Sequence, residues 1–591
     1  MLPKFVLEVA AMDHELRKRG TSAYPASYFF GRKRSSWGAK RVLLIALAVY
    51  VVALGVLPLA RLFVEAFLPG RGGELFGVLL QQWRTPAAQT ALLHTLEASA
   101  LATLVSVLIG VVVAFVLALT DIRNKAALTF VALLPLLVPS QITALAWIEL
   151  TSSSILALLG LAPAPGETNM LYSKGGIVLV MGIEHSTLVF LAVRAGLRNL
   201  PRDLIEAARL GGAHPLRVAR SVILPLALPA ILAGAALAFV ASIGNFGIPA
   251  LLGIPGRYTM LTTLIYQHLQ GFGPRVLGEV AALAVGLAVL AVAGLMLPVV
   301  VRGFAIQGGS APLEPFPLGR GRAWVETLIW ILLTVIAVMP LVALLAASLA
   351  PALGVPLRFD TATLANYRFA LLEQDATLRA FGNSLLLALT TALVSAAVAL
   401  PLAYFATLRQ SRTARVLDAV AAVPYAVPGT VLAIAIILVF LPPVPLLNVS
   451  LYGTIGIILI AYLARFLALV LRPTMAAMGL INKNLDEAAQ IAGAPLLLRL
   501  RAVILPSVGP SVMAGALLIF MSALNELTVS ALLWSTGRET LGVVVFALQY
   551  EGNSPAAAAV ATISVALTLA LAMLATTFRG RLPEGVVPWQ A

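Results

Sequence analysis

The sequence predicts an all-α polytopic membrane protein of about twelve transmembrane helices, arranged as two parallel six-helix halves. Three observations carry that reading: an apolar composition, apolar runs long enough to cross a bilayer, and a long stretch that occurs twice. Of 591 residues, 60% are hydrophobic and 11% charged, where a soluble globular chain carries roughly 25% charge. Mean hydropathy is +0.98. The segments are apolar all round, which marks spans rather than amphipathic surface helices.

Crossing ~30 Å of hydrocarbon takes about 20 apolar residues. Such runs lie near 41–67, 93–120, 126–150, 175–198, 221–245 and 277–301, and again near 323–349, 381–408, 415–440, 452–475, 503–525 and 556–578. The net charge is +15. In a soluble chain that would suggest nucleic acid, but here the basic residues sit in short loops between spans, so no nucleic-acid partner is expected. There are no cysteines, which excludes disulfides, Cys-ligated metals and thiol chemistry.

Basic residues set the orientation. With the N-terminus inside, the inward loops carry Arg123 and Lys125, then Arg202, Arg209, Arg217 and Arg220, then Arg302, Arg320 and Arg322. In the second half they carry Arg409 and Arg412, then Lys483, Arg499 and Arg501, then Arg579 and Arg581. Outward loops 151–173 and 441–451 carry no Lys or Arg, while outward loops 69–92, 246–276, 350–380 and 526–555 carry a few, so the bias is clear but not absolute. Residues 1–40 are basic and lack a small-residue cleavage site after an apolar region, so they read as a cytoplasmic tail. The halves span 41–302 and 323–580, joined by a Gly- and Pro-rich cytoplasmic linker over 303–322 and followed by a tail over 581–591.

The repeated stretch starts at Glu206-Ala207-Ala208 and again at Glu487-Ala488-Ala489, each ending in Val-Ile-Leu-Pro at Pro225 and Pro506. The offset is 281 residues, and 14 of the 29 positions from Glu206 to Gly234 are identical in the second copy. Both copies fall between the fourth and fifth spans of their halves, on the cytoplasmic side. The halves therefore share one topology, related by an axis along the membrane normal. A second landmark, Pro135/Pro139 against Pro424/Pro428, has offset 289, so the first half carries eight extra residues, assigned to the outward loop around 159–167.

Locally, Asp203 with Glu206, and Asn484 with Glu487, have the spacing of a capping box. Gly212 and Gly493 suit the left-handed residue that closes a helix. Each copy predicts a short helix, a sharp turn and re-entry into the membrane. Two roles stay open for Glu206 and Glu487: capping their own helix, or docking a partner.

The Glu-Ala-Ala stretch, with Gly at the seventh position and Val-Ile-Leu-Pro beyond it, resembles the EAA loop of the membrane subunits of ATP-binding-cassette (ABC) importers. Two such loops in one chain resemble the fused permeases of the ferric-iron and thiamine group. The resemblance implies a type I importer permease fold, and a multi-pass place in a bacterial cytoplasmic membrane with both termini inside. It implies coupling helices that dock two copies of a cytoplasmic ABC ATPase through Glu206, Ala207, Ala208, Gly212, Glu487, Ala488, Ala489 and Gly493. It also implies an extracytoplasmic substrate-binding protein. Gly211-Gly212, against Ala492-Gly493, would loosen the first turn. The chain has no Gly-x-x-x-x-Gly-Lys-Ser/Thr phosphate loop, so it is expected to be no enzyme and to hold no cofactor, with ATP and Mg²⁺ in the partner.

Ionisable groups at membrane depth cost roughly 2.5–3.5 kcal/mol each and mark pathways. Glu184 and His185 lie in the fourth span, and Arg465 occupies the position equivalent to Glu184. Glu184 and Arg465 are expected either to meet near the axis or to line a polar pathway. Asn245 and Glu526 are equivalent at the outward ends of the fifth and eleventh spans, with Thr259 matched to Thr540 beyond them. Glu526 is a hard oxygen donor, yet one carboxylate makes no firm metal site. His94, Glu97 and Asn383 are further pathway candidates. Pro135, Pro139, Pro424 and Pro428 should break their helices in mid-membrane.

The expected function is the permease of a binding-protein-dependent importer; Leu524–Trp534 and the matching Ile243–Leu252 segment resemble the ferric-iron branch most, and that resemblance implies ferric iron as the substrate. Thiamine, aminoethylphosphonate and polyamine importers share the architecture. A secondary transporter driven by an ion gradient, or a non-transporting scaffold, would fit two six-span halves as well.

Overall fold

The computed structural model describes residues 33–577 apart from 70–72, 153–167, 199, 272, 274, 301–314, 353–354, 356 and 444–447. Most of the N-terminal tail, the C-terminal tail, the first part of the linker and the loop assigned the eight extra residues lie outside the described residues.

The first half runs α1 (Lys40–Ala66), α2 (Pro86–Leu119), the pair α3 (Lys125–Leu137) and α4 (Ser140–Thr151), then α5 (Lys174–Arg198). A short α6 (Arg202–Leu210) follows, then α7 (Pro215–Gly244), a short α8 (Leu261–Leu269) and α9 (Val276–Met296). The second half repeats the order: α10 (Gly319–Ser348), α11 (Asp375–Leu408), the pair α12 (Arg412–Ala426) and α13 (Gly429–Phe440), α14 (Ile455–Gly479), short α15 (Lys483–Ile491), α16 (Leu496–Leu524), short α17 (Leu541–Tyr550) and α18 (Ser554–Leu574). Among the described residues ten helices cross by length and composition, and twelve when each bent pair counts as one span. Six crossings per half put α6 and α15 on one face.

Proline explains two local features. Helices α3 and α4 meet at 105° and α12 and α13 at 108°, with Pro139 and Pro428 as the residues before the second helices. Of the prolines four residues earlier, Pro135 sits inside α3 near its end without breaking it, whereas Pro424 follows an interruption of α12 at Ala422 and stands in the first turn of the short segment Val423–Ala426. Four π-helical turns, Val52–Val56, Ala219–Ile223, Thr334–Val338 and Leu500–Ile504, each precede a proline by one residue: Pro58, Pro225, Pro340 and Pro506. A proline ring clashes with the carbonyl four residues back and offers it no N–H, and one wide turn relieves both problems without ending the helix. The repeated Val-Ile-Leu-Pro is thus a π-turn signature.

Small residues let the spans approach. The buried face of α2 carries Ala91, Thr95, Ala98, Ser99, Ala102, Ser106 and Gly110. Ser106 Oγ donates to Gly182 O of α5 at 2.8 Å, and a Cβ on Gly110 would stand 2.6 Å from Ser186 O. Close backbone contact of this kind drives association in lipid, where apolar area alone gives no preference for protein. The pseudo-equivalent contacts of α7 on α5 and α16 on α14 rest on Gly234 against Val189 and Gly515 against Val470.

The first span of each half packs on the other half. Helix α1 lies against α13, and Tyr50 Oη donates to Leu463 O of α14 at 3.0 Å. Helix α10 lies against α3 and α4. This exchange ties the halves together through lipid-exposed helices. Gly110→Ala is expected to lower the thermal unfolding midpoint of the chain in detergent, an overpacking cost of about 1–3 kcal/mol. Gly382→Ala on α11, where nothing lies within 4 Å of the new Cβ, should not lower it.

Candidate functional site

The two copies of the repeated stretch fold alike. Helix α6 starts after Pro201 and α15 after Asn482, whose side chain accepts from the Asn484 N–H at 3.0 Å. Asp203 and Asn484 therefore lie inside the helices, and the capping-box assignment fails: Glu206 and Glu487 sit too far into their helices to cap them. Both are exposed, as are Ala207 and Ala488, while Ala208 and Ala489 are half-buried. The closing glycines behave as expected. Gly212 has φ +77° and Gly493 φ +81°. The N–H of Ala213 reaches Ala208 O at 3.1 Å and that of Ala494 reaches Ala489 O at 3.0 Å, which makes each turn a Schellman cap. Gly211 takes φ −72° and Ala492 φ −68°, so the additional glycine does not alter the first turn.

Around each cap, large apolar side chains face outward at equivalent positions: Leu204, Leu210 and Leu216 in the first copy, Leu485, Ile491 and Leu497 in the second. Leu210 is 90% exposed and Ile491 80%.

What holds the two loops differs. Beneath α15, Asp486 is buried and paired bidentately with buried Arg499, Nε and Nη2 both at 2.8 Å. Asp486 also accepts from Arg409 Nη2 at 2.7 Å and from Tyr404 Oη at 3.0 Å. Arg409 Nη2 also donates to Gln490 Oε1 at 2.6 Å. In the first half the positions of Asp486 and Arg499 are taken by Ile205 and Val218, both buried. There the loop leans on the end of the linker instead: the Arg209 guanidinium lies 4.4 Å from the centroid of the Phe316 ring. Phe316 N donates to Leu119 O at 2.6 Å, and Arg322 Nη2 pairs with Asp121 at 2.5 Å. The Leu318 N–H and the Arg322 guanidinium hold the Asp121 carboxyl below its usual range.

The breaks at Pro139 and Pro428 bring polar side chains together. Glu184 accepts from Ser140 Oγ at 2.5 Å and from Asn245 Nδ2 at 3.2 Å. His185 Nδ1 lies 2.8 Å from Ser242 Oγ. Glu184 is thus met inside its own half, and the expected Glu184–Arg465 pair is absent among the described residues. In the second half Arg465 packs on Gly429, the counterpart of Ser140, and beside Thr528. Glu526 accepts from Val529 N at 2.8 Å with Oε1 and from Ser530 N at 3.0 Å with Oε2. Across the halves, Gln141 Nε2 donates to Asn525 O at 2.8 Å, and Gly244 faces Pro428.

A cavity of about 400 Å³ opens at this junction. The first half contributes Leu133, Leu136, Leu137, Pro139, Ser140 and Gln141, and the second contributes Tyr425, Arg465, Ser522, Asn525, Glu526 and Thr528 among others. His94, Glu97 and Asn383 are elsewhere. His94 Nδ1 lies 3.0 Å from Thr259 O and Asn383 Nδ2 donates to Glu539 O at 2.9 Å, each fixing the backbone that leads into α8 or α17. Glu97 pairs with Lys174 at 2.7 Å. Met260 and Thr540 precede α8 and α17, so the equivalence drawn between Thr259 and Thr540 is off by one residue.

The family model for the inner membrane component of binding-protein-dependent transport systems matches residues 106–309 and 399–583, once in each half. The chain belongs to this family. It is an ABC importer permease of the fused, two-half kind. An ABC transporter permease protein of Sinorhizobium fredii is 30% identical over 408 residues, 68% of this chain and 70% of that protein. A protein of Salmonella typhimurium named as a 2-aminoethylphosphonate transport system permease is 32% identical over 213 residues, 35% of this chain and 73% of its own. A molybdenum transport system permease of Mycobacterium tuberculosis is 32% identical over 213 residues, 36% of this chain and 78% of its own.

Sequence reasoning about this permease missed two features. Arg499 reads as one more inward-loop charge, although Asp486 thirteen residues earlier, equivalent to an Ile/Val pair in the first half, is a visible signal. Glu149, buried at the end of α4 and hydrogen-bonded to Ser554 across the halves, is the other. Asp486→Ala should cost about 3–5 kcal/mol by leaving Arg499 buried and unpaired. Installing the apolar first-half residues, Asp486→Ile with Arg499→Val, should recover most of that stability in thermal unfolding of the purified chain.

Proposed function

We propose that this permease forms the path of a binding-protein-dependent importer and that α6 and α15 dock on two copies of a separate cytoplasmic ATPase. The observation that supports this is the matched pair of loops: each presents an exposed glutamate, an exposed alanine and three outward-facing large apolar side chains, closed by the same glycine cap. Apolar side chains 80–90% exposed on a short, capped helix cost free energy in water and gain it when covered. With the loops on the cytoplasmic side, both termini are cytoplasmic and the receptor meets the opposite face.

For the substrate, the resemblance to the ferric-iron branch favours Fe³⁺. The cavity lends that reading no support. Both carboxylate oxygens of Glu526 already accept backbone N–H groups, and among the described residues no three His, Asp or Glu side chains converge as a metal site. The names of the relatives, 2-aminoethylphosphonate and molybdenum, make a small polar solute other than free iron the better match.

Co-purification with a co-expressed ABC ATPase tests the docking. Leu210→Asp with Ile491→Asp should reduce recovered ATPase at least tenfold without lowering the chain's unfolding temperature. Replacing Glu206 and Glu487 together should abolish ATP-driven uptake. Unchanged assembly and uptake in both variants, or uptake by this chain without an ATPase, would return the reading to a gradient-driven transporter.

A further inference from the structure

The inter-half cavity is lined by an arginine that keeps one donor unmet among the described residues. Arg465 lines it, and its Nη1 is buried without a hydrogen-bond partner among the described residues. A buried donor left unmade costs about 1–3 kcal/mol, more when charged. A buried donor left unmet at membrane depth marks a place where something else can supply the acceptor. Three of the neighbouring polar side chains are already engaged. Glu526 gives both oxygens to backbone N–H groups of Val529 and Ser530, Ser140 Oγ donates to Glu184, and Gln141 Nε2 donates to Asn525 O. Beside the hydroxyls of Tyr425, Ser522 and Thr528, the cavity offers one cation, the Arg465 guanidinium, among the described residues.

The backbone adds to the same sign. Helix α4 begins at Ser140 on the cavity wall and α13 begins at Gly429, against which the Arg465 guanidinium packs. Both are twelve-residue helices with their positive ends at the junction. Broken helices of this kind direct their N-termini toward anionic groups. The first half holds Glu184 where the second holds Arg465, so only one side of the pseudo-symmetric site carries the cation, and the volume of about 400 Å³ suits a small molecule.

We infer that Arg465 forms a subsite for the oxyanion head of a small solute, a phosphonate or phosphate group, inside the cavity between the halves. The inference rests on the importer reading for its direction of transport, but not for binding itself. A guanidinium presents two parallel N–H donors to two oxygens of such a head. A cationic substrate would meet the Arg465 charge and only one carboxylate, Glu526, which is already held by two backbone N–H groups.

The test uses the full chain in lipid nanodiscs, without ATPase, and two probes: 2-aminoethylphosphonate and inorganic phosphate, read by broadening of their ³¹P signals. Wild type should broaden at least one of them, Arg465→Gln should reduce the effect at least tenfold, and Arg465→Lys should retain part of it. The unfolding midpoint of Arg465→Gln, compared with that of wild type, shows whether the variant is folded. Should that variant fail to fold, Arg465→Lys still decides, because a point charge replaces the fork. Absence of broadening in wild type, equal broadening in wild type and the folded variants, or equal displacement of the probe by putrescine would each overturn the inference. ATP-driven uptake by the assembly with ATPase and receptor, measured separately, reports on the importer reading alone.

Discussion

Hydrocarbon offers no partner to a backbone or side-chain polar group, so every break in a span must be met by protein or face a cavity. Pro139 and Pro428 impose two such breaks on this chain. Much of the architecture follows from meeting them. Ser140 is held by Glu184, Asn245 reaches the same carboxylate, and Gln141 crosses to Asn525 in the other half. The halves meet where their spans are broken because that is where each has polar groups to satisfy. Packing α1 on the second half and α10 on the first then closes the two units into one body.

The pseudo-symmetry is one of position more than chemistry. Thr95 and Ser384 both accept the first N–H of α8 or α17. His94 and Asn383 both hold the preceding carbonyl. Elsewhere equivalent places carry opposite chemistries: Ile205 and Val218 against Asp486 and Arg499, Glu184 against Arg465, Asn245 against Glu526. A buried ion pair and an apolar pair of similar volume can do the same structural work, so the second loop is anchored by charge and the first by apolar packing. At the span breaks the swap leaves Arg465 as the one cation lining the shared cavity among the described residues.

Much of the fold was legible because lipid makes the code simple. Span number, the repeat, the closing glycines Gly212 and Gly493, and breaks at Pro139 and Pro428 all follow from hydropathy and backbone chemistry. Capping was not legible, since Asp203 and Glu206 have the right spacing but the helix starts earlier, at Arg202 after Pro201. Partners of ionisable groups were not legible either. Glu184 and Arg465 are equivalent by repeat, and equivalence by a two-fold axis does not bring two side chains together. Each answers to the residues at its own span break. His94 and Asn383 looked like pathway groups because they are polar and near a span end, and they proved to be backbone ties.

The central claim is that α6 and α15 are two equivalent docking helices on one cytoplasmic face. The chain contains no cysteine, so a single cysteine placed at Ala207 or at Ala488, both exposed, reports that face without background. Labelling by a membrane-impermeant maleimide should occur in inside-out vesicles and not in right-side-out ones, at both sites, and bound ATPase should protect both. Labelling of either site from the outside, or labelling undiminished by the ATPase, would contradict it.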